Sequence, residues 1–379
     1  MENFVAYNPT ILHFGKGVVN DLGKAVEPFG KRVLLVYGKG SVKKTGLYDK
    51  VIGQLKAVNT ELFEYSGIKS NPVIEDVDAA AEVGRKNRVD VIVAVGGGSV
   101  IDSAKIISIT IPVTHSGWDF YSGKAKPATA LPVIAILTLA ATGTEMNPFA
   151  VQSNHKTKIK EGFHNSFLYP RHSFLDPQNT VSVPRNYTAY GIADLIAHAL
   201  EAYFGAGDAT LSDRFIFSII NEAMENGPKL LDNLHDYDLR AKIMYAANTA
   251  LNGFTMYGKA NADWGVHSLG HILSLMFDIP HGASLSIAYP AWMKTLKDRM
   301  PERLELLGKN VFGTSSPDET ISRFEAFFQK IDCPVHLQQA GILPDKKQEI
   351  YDLFIRNNVG GTNYQLSKEE VKQIVDYLF

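Results

Sequence analysis

Short apolar runs alternate with helix-like stretches through the first half of the chain. The apolar, β-branched runs occupy residues 32–37, 91–95 and 131–137, and the helix-like stretches occupy residues 47–57, 77–87 and 100–107. Nearly continuous apolar strands separated by helices are typical of a parallel sheet covered by helices on both faces. The pattern therefore predicts an α/β domain at the N-terminal side of the chain.

The pattern changes after residue 177. From residue 187 onward the strand-like runs disappear, and helical periodicity continues to residue 379. Pro184 disfavours helix in the residue before it, so a hinge is predicted at residues 182–186. We expect an α/β domain over residues 1–183 and an all-α domain over residues 184–379.

Composition and charge exclude several classes of protein. The chain has 379 residues, 45% hydrophobic and 21% charged, and its net charge of -2 gives no support for nucleic-acid binding. The apolar runs are too short to span a bilayer, and the first residues lack the features of a signal peptide, so a cytoplasmic protein without membrane contact is expected. The single cysteine, Cys333, excludes an intrachain disulfide and a thiolate metal cluster.

Five residues in the second half have the chemistry of metal ligands. Asp194 and His198 are four residues apart, as are His267 and His271, and His281 follows. Residues at i and i+4 share a helix face, and a carboxylate with several imidazoles suits a divalent transition metal. A lone Asp-x-x-x-His is more often a surface or capping pair. Here the neighbours are apolar, and a buried carboxylate needs a compensating charge, which a metal supplies.

A glycine-rich turn follows the second apolar strand. It consists of Gly96, Gly97, Gly98 and Ser99, and a helix-like stretch begins directly after it. Glycines let a ligand approach the backbone, and a helix N-terminus offers unpaired N–H groups, so a pyrophosphate fits this position. The alternative is a tight turn that needs glycine only for its geometry. The position at the carboxyl end of a parallel strand favours a ligand and predicts a variant of the Rossmann theme.

The turn after the first strand bears on the choice of cofactor. It contains Gly38, Lys39, Gly40 and Ser41, with two further lysines behind it. Sites that prefer NAD place a carboxylate at this point, where it accepts hydrogen bonds from the ribose and repels a 2′-phosphate. No carboxylate is present here, so the turn predicts NADP(H). A solvated basic turn is the alternative. After the third strand, Thr138 and Thr142 are candidates for holding the nicotinamide half.

Together these motifs resemble the iron-dependent, or group III, alcohol dehydrogenases over essentially the whole chain. The resemblance is carried by Gly-Gly-Gly-Ser-Val-Ile-Asp-Ser-Ala-Lys over residues 96–105, by Thr-Gly-Thr-Glu over residues 142–145, and by Asp194, His198, His267 and His281. Within that family the chain looks most similar to the NADPH-dependent butanol dehydrogenase and aldehyde reductase branch. NAD-dependent relatives have an aspartate where Gly38 stands here. The chain departs from the family at Lys39, commonly glycine in this branch. It also has Ala-Thr-Gly-Thr-Glu over residues 141–145, where Gly-Thr-Gly-Ser-Glu is more frequent.

The resemblance implies roles for individual residues. It makes Asp194, His198, His267 and His281 the metal ligands. It places His271 near the substrate, where this residue supports the ligands or handles a proton without binding the metal. It implies a cofactor site formed by Gly38, Lys39, Gly40, Ser41, Gly96, Gly97, Gly98, Ser99, Asp102, Thr138, Thr142 and Lys160. It also implies Fe²⁺ and a homodimer. The oxygen and nitrogen ligands by themselves suit iron, zinc, manganese, cobalt or nickel, and the general affinity order favours zinc over iron.

The expected activity is hydride transfer between NADP(H) and a primary alcohol/aldehyde pair such as butanol and butanal. The metal would act as a Lewis acid toward the reacting oxygen. Phe149, Phe254 and Trp264 are candidates for lining an apolar pocket, and plain core packing is the alternative for each. A dehydroquinate synthase-type lyase and a glycerol dehydrogenase-type enzyme are the alternatives of related architecture. A metallohydrolase leaves the glycine-rich turn unexplained, and a non-catalytic binder does not account for buried ionisable ligands.

Overall fold

A six-stranded parallel sheet forms the centre of one of the two units into which the chain divides. The computed structural model describes all 379 residues. The sheet unit comprises Tyr7–Val183 and His235–Met244, and the helical unit comprises Met1–Ala6, Pro184–Leu234 and Tyr245–Phe379. The contiguous domains 1–183 and 184–379 stay a prediction, and the compact units depart from them at Met1–Ala6 and His235–Met244.

The strands and helices of the sheet unit follow one another in βα order. The strands are β1 (Ile11–Phe14), β2 (Arg32–Tyr37), β3 (Glu61–Ser66), β4 (Val91–Gly96), β5 (Val133–Leu137), β6 (Phe149–Asn154), β7 (Ile159–His164) and β8 (His172–Leu175). The helices are α1 (Leu22–Val26), α2 (Ser41–Lys44), α3 (Leu47–Ala57), α4 (Ile74–Lys86), α5 (Gly98–Thr110) and α6 (Trp118–Tyr121). The sheet has the order β1-β8-β5-β4-β2-β3, and β6 and β7 form a separate antiparallel pair.

Side chains of the central strands alternate between two hydrophobic clusters. Leu34 and Val36 belong to a cluster with residues of α4 and α5, whereas Val33 and Leu35 belong to a cluster with residues of α1 and α3. Successive residues of a strand point to opposite faces, so helices cover both faces of this sheet. The predicted α/β class, with a parallel sheet, is confirmed.

The order of the strands places three predicted turns side by side at the carboxyl ends of the parallel strands. β2, β4 and β5 are adjacent and parallel, and they end at Tyr37, Gly96 and Leu137. The chain runs from β2 outward to β3 and then returns to the other side of β2 as β4. The reversal between β2 and β4 is a topological switch point, the usual place for a ligand in an open parallel sheet.

The second half of the chain is helical, as the sequence predicts. Helices follow one another from α7 to α15, near the last residue of the chain. One of them, α9 (Tyr237–Ala250), begins in the sheet unit. The bounds are α7 (Arg185–Phe204), α8 (Thr210–Asp232), α10 (Gly265–Phe277), α11 (His281–Leu296), α12 (Pro301–Val311), α13 (Pro317–Lys330), α14 (Lys347–Arg356) and α15 (Lys368–Tyr377). α7 packs against α8, α10 and α11. It is buried on nearly all sides, which is why its ionisable residues lie inside the unit.

Candidate active site

Three helices of the helical unit bring the predicted metal ligands together. α7 carries Asp194 and His198, α10 carries His267 and His271, and His281 is the first residue of α11. The ligand atoms of Asp194, His267 and His281 lie within 4.8 Å of one another. His198 lies beside them, with its Nδ1 3.4 Å from Asp194 Oδ1.

The arrangement around Asp194 fits a divalent ion. Its Oδ1 is 3.9 Å from His267 Nε2 and 3.9 Å from His281 Nε2. Ligands of one ion each sit ~2.0–2.2 Å from it, so two of them can be up to about 4 Å apart. The buried Nε2 of His267 has no hydrogen-bond partner within the protein, a costly state that a metal would relieve.

His198 has the protonation state that a metal ligand requires. Burial, together with the neighbouring His267, lowers the pKa of His198 well below its ordinary value. The ring is therefore neutral at pH 7, and only a neutral imidazole offers a lone pair to a metal. Its ring centre is 4.6 Å from that of His267.

Glu201 orients His267 and was not identified from the sequence. The His267 Nδ1 and the His267 backbone N–H both donate to Glu201 Oε1, at 2.8 and 2.9 Å. A hydrogen on Nδ1 leaves the lone pair on Nε2, which faces Asp194; carboxylates commonly hold metal-binding histidines in this way. The signal was present in the sequence, because Glu201 follows Asp194 by seven residues and lies on the same face of α7.

His271 lies at the side of the cluster. Its ring centre is 5.2 Å from that of His281 and 6.2 Å from that of His267, and its ligand atoms are not among the group that meets within 4.8 Å. Among the aromatic candidates, Trp264 contacts the rings of His198 and His267. Phe254 instead packs on Phe215 and Tyr257, so for this residue the packing interpretation holds.

The turn after β2 has the open backbone that the sequence predicts. Gly40 has φ 119°, a conformation that favours glycine, and Ser41 begins the short helix α2. A Cβ added at Gly38 would meet only Ile68 O, at 3.6 Å. Lys39 is exposed, so its amine is available to a ligand in solvent.

A carboxylate near this turn is already engaged by the protein. Glu64 on β3 accepts hydrogen bonds from the hydroxyls of Tyr37 and Tyr48, both at 2.7 Å. The bond to Glu64 and partial burial raise the pKa of Tyr48 to about 12. The Lys43 Nζ lies over both rings, 5.1 Å from the centre of Tyr37 and 4.6 Å from that of Tyr48. Lys43 is thus held beside two tyrosines, and the sequence alone did not indicate this.

The turn after β4 packs closely against the segment that follows β5. Thr138 N donates to Gly96 O at 3.0 Å. A Cβ on Gly98 would lie 2.7 Å from Thr142 Cγ2, and one on Gly97 would lie 3.3 Å from Leu139 Cβ. Glycine is therefore required at position 98 for this contact, whether or not a phosphate binds there. The structure brings Thr138 and Thr142 to the glycine-rich turn.

Asp102 is bound on both oxygens by the protein. Thr144 Oγ1 donates to its Oδ1 at 2.5 Å, and Val151 N donates to its Oδ2 at 2.9 Å. The fully buried Lys105 lies in the same network, and its Nζ donates to Thr144 Oγ1, Asn147 O and Phe149 O at 2.6–2.8 Å. Burial lowers the pKa of Lys105 to about 8. Asp102 and Lys105 together hold residues 144–151 against α5.

The two remaining cofactor candidates are joined to one loop. Lys160 is buried on β7, and its Nζ donates to Asn71 Oδ1 at 2.9 Å. Ser99 Oγ donates to the carbonyl of Ser70, the residue next to Asn71. The glycine-rich turn and Lys160 therefore reach the same loop between β3 and α4.

Comparison with known proteins identifies the family. The profile of the iron-containing alcohol dehydrogenases matches residues 9–177, and the profile of the Fe-containing alcohol dehydrogenase C-terminal region matches residues 188–379. The chain belongs to the iron-containing alcohol dehydrogenase family. The predicted family is thereby confirmed, together with the presence of a helical C-terminal region.

The names of the relatives in this family specify different cofactors, NADH for some and NADPH for others. The chain is 38% identical to a probable NADH-dependent butanol dehydrogenase of Bacillus subtilis, over 99% of each protein. It is 36% identical to the NADPH-dependent aldehyde reductase YqhD of Escherichia coli, over 90% of each. The crystal structure of NADH-dependent butanol dehydrogenase A from Thermotoga maritima superimposes with a TM-score of 0.96 at 37% identity, over 100% of this chain and 99% of that one.

The helices of the chain were also compared with the length and hydropathy of membrane-spanning helices. None of them combines the length and the hydropathy needed to cross a bilayer.

Proposed function

We propose that the protein is a metal-dependent oxidoreductase that transfers a hydride between NADP(H) and a short primary alcohol/aldehyde pair. The observation that carries the proposal is the cluster of Asp194, His267 and His281 around one point, with His198 adjacent. The names of the relatives, which are butanol dehydrogenases and an aldehyde reductase, support the substrate class. A homodimer in the cytoplasm belongs to the same proposal.

Asp194, His198, His267 and His281 would hold the ion, and iron is the metal that the family name favours. When bound, the divalent ion supplies a Lewis acid for the carbonyl oxygen, and the reduced nicotinamide supplies the hydride. One carboxylate and three neutral imidazoles leave the site with a net charge of +1, which favours a developing negative charge on the substrate. Glu201 maintains the tautomer and direction of His267.

The sheet unit would bind the cofactor at the edge where β2, β4 and β5 end. The N–H groups at the start of α5 favour the pyrophosphate, and Thr138 and Thr142 would hold the nicotinamide half. Lys39, Gly40 and Ser41 would receive the 2′-phosphate, because the turn contains no carboxylate to repel it. A carboxylate near the turn, Glu64, is already bound by Tyr37 and Tyr48.

The direct test of the reaction is the absorbance of reduced nicotinamide with purified enzyme, NADPH and butanal. Steady loss of the band, dependent on butanal, is expected. A lyase of the dehydroquinate synthase type would show no net consumption of the cofactor, and that result would contradict the proposal. A molar mass in solution equal to that of one chain would contradict the dimer.

Cofactor choice is tested at Gly38. Gly38→Asp fits sterically, since the added Cβ meets only Ile68 O at an ordinary distance. The new carboxylate repels the 2′-phosphate by an amount on the order of a few kcal/mol at a partly exposed site. We expect the ratio of kcat/KM for NADPH to that for NADH to fall by roughly 10- to 100-fold. Gly38→Asn, which adds the same bulk without charge, is the matched control. Equal use of both cofactors by the wild type would refute this assignment of the turn.

The role of His271 is tested by removing its side chain. We propose that His271 carries the proton exchanged with the substrate oxygen, because its imidazole lies beside that of His281, with the ring centres 5.2 Å apart. His271→Ala is expected to keep its metal and to lower kcat by about 100-fold, with partial recovery on adding imidazole. Metal content and kcat are measured on the same preparation. Loss of metal would make His271 a ligand, and an unchanged kcat would leave it a packing residue.

A further inference from the structure

Trp264 has an unusual backbone conformation directly before the helix that carries His267. Its φ and ψ are 64° and 10°, in the left-handed region, and it occupies the N-cap of α10. A bulky aromatic residue is disfavoured there, because its Cβ approaches the backbone too closely. Residues in this conformation persist only where the surroundings hold them, and they occur preferentially at functional sites.

Asp263, the residue before Trp264, supplies the surroundings that hold it. Its carboxylate is fully buried and accepts three backbone hydrogen bonds, from Asn363 N at 2.9 Å, Tyr364 N at 2.7 Å and Gly265 N at 3.1 Å. Its backbone carbonyl accepts a fourth hydrogen bond, from Thr362 N at 2.6 Å. Asp263 thus ties the start of α10 to residues 362–364 through its carboxylate and its carbonyl.

The same junction also reaches the residue that orients His267. The backbone N–H of Asp263 donates to Glu201 O at 3.0 Å, and the Glu201 side chain binds His267. Space for the carboxylate comes from glycine, since a Cβ on Gly361 would lie 1.9 Å from Asp263 Oδ2. Asp263 therefore links three parts of the helical unit at one point beside the metal cluster.

The indole of Trp264 contacts two rings of this cluster edge to face. Its centre is 5.3 Å from that of His267, with the planes at 84°, and 6.4 Å from that of His198, with the planes at 72°. His271 contacts a different pair, His267 and His281. One side of the metal cluster is therefore lined by the large apolar ring of Trp264, and the other side by the imidazole of His271. Trp264 is only partly buried, so part of the ring remains accessible.

We propose that Trp264 limits the size of the alkyl group that a substrate can carry next to its carbonyl carbon, and that Asp263 positions Trp264 for this purpose. The proposal rests on the proposed function, because it assumes that a carbonyl compound binds at the metal cluster. On this proposal, the indole beside the ligands accepts an unbranched chain and excludes a branched carbon. Asp263 does not touch the substrate and acts through Trp264.

The test compares butanal with 2,2-dimethylpropanal as substrates of the holoenzyme. Trp264→Leu and the more conservative Trp264→Phe are expected to raise the ratio of kcat/KM for the branched aldehyde to that for butanal. The rise should be about 10-fold or more for leucine, the scale on which pockets discriminate a methylene, and smaller for phenylalanine. Trp118→Leu is the matched control, because Trp118 is also partly buried but stacks on Tyr121 in the sheet unit. Ratios within twofold of wild type in both Trp264 variants would overturn the proposal.

Asp263→Asn tests the positioning role. An amide cannot accept all three backbone hydrogen bonds, since its NH₂ group would face one of the donors. The variant should shift the ratio in the same direction as Trp264→Leu, mainly by lowering KM for the branched aldehyde. A purely structural role would lower the melting temperature and leave the ratio unchanged, and that combination would overturn this part of the proposal.

A fluorescence titration separates failure of this inference from failure of the proposed function. Co²⁺ added to the metal-free full-length protein should quench tryptophan fluorescence, and Trp264→Phe should remove most of the quenching while still binding Co²⁺. If wild type binds no Co²⁺, the proposed metal site fails. If Co²⁺ binds and Trp264→Phe leaves the quenching unchanged, Trp264 is not beside the metal and the inference fails alone.

Discussion

Replacing His267 with alanine is expected to abolish metal binding and to lower kcat/KM for aldehyde reduction by roughly 1000-fold or more. The reason is that a Lewis acid supplies several kcal/mol of charge stabilisation, and each 1.36 kcal/mol is tenfold in rate. His267 is the ligand candidate with the clearest geometry, since its Nε2 faces Asp194 and its Nδ1 is bound to Glu201. Metal content by elemental analysis and steady-state kinetics check the prediction together.

Two further variants make this test specific. NADPH binding to His267→Ala should be retained, because the cofactor candidates lie in the sheet unit, which includes residues 7–183. Glu201→Gln should weaken metal binding by about 10- to 100-fold, as expected when the partner of a ligating histidine is altered. Full activity of His267→Ala in a preparation free of metal would show that the cluster is not the catalytic site.

Replacing Lys105 with methionine is expected to lower the free energy of unfolding of the sheet unit by about 3–5 kcal/mol. The ammonium donates to Thr144, Asn147 and Phe149 and lies beside the buried Asp102, so its removal takes away the larger of the two positive charges, Lys105 and Lys160, that stabilise this buried carboxylate. Urea unfolding followed by circular dichroism measures the loss. Lys86→Met, at an exposed position of α4, is the control and should stay within about 0.5 kcal/mol of wild type. A loss below about 1 kcal/mol for Lys105→Met would mean that the network does not depend on the ammonium.

Three of the four interior strands could be predicted from the sequence, and the two edge strands could not. β2 is Arg32–Tyr37, as predicted, and α3 is Leu47–Ala57, as predicted. The sequence interpretation missed β3, which mixes charged and apolar residues at one edge of the sheet, and β1, which has only four residues at the other edge. It also missed the interior strand β8, which again has only four residues. Edge strands lack the continuous apolar pattern of a strand that is buried on both faces.

The site shows the same division between local and long-range signals. Asp194 and His198 are recognisable because their spacing places them on one helix face, and the same holds for His267 and His271. The resemblance to the family selected His281 rather than His271 as a ligand. The bonds from Lys105 to the carbonyls of Asn147 and Phe149 span more than forty residues, and nothing in the local pattern indicates them. The clamp of Asp263 on the segment around Asn363 is longer still.

The claim that one protein uses a metal and NADP(H) for a single reaction is tested most directly by removing and restoring the metal. Enzyme treated with a chelator and then dialysed is mixed with NADPH and butanal, and loss of reduced-nicotinamide absorbance is followed before and after one equivalent of Fe²⁺ or Zn²⁺ is added per chain. The account predicts negligible oxidation without metal and butanal-dependent oxidation once it is restored. Undiminished oxidation by enzyme shown to be free of metal would contradict it.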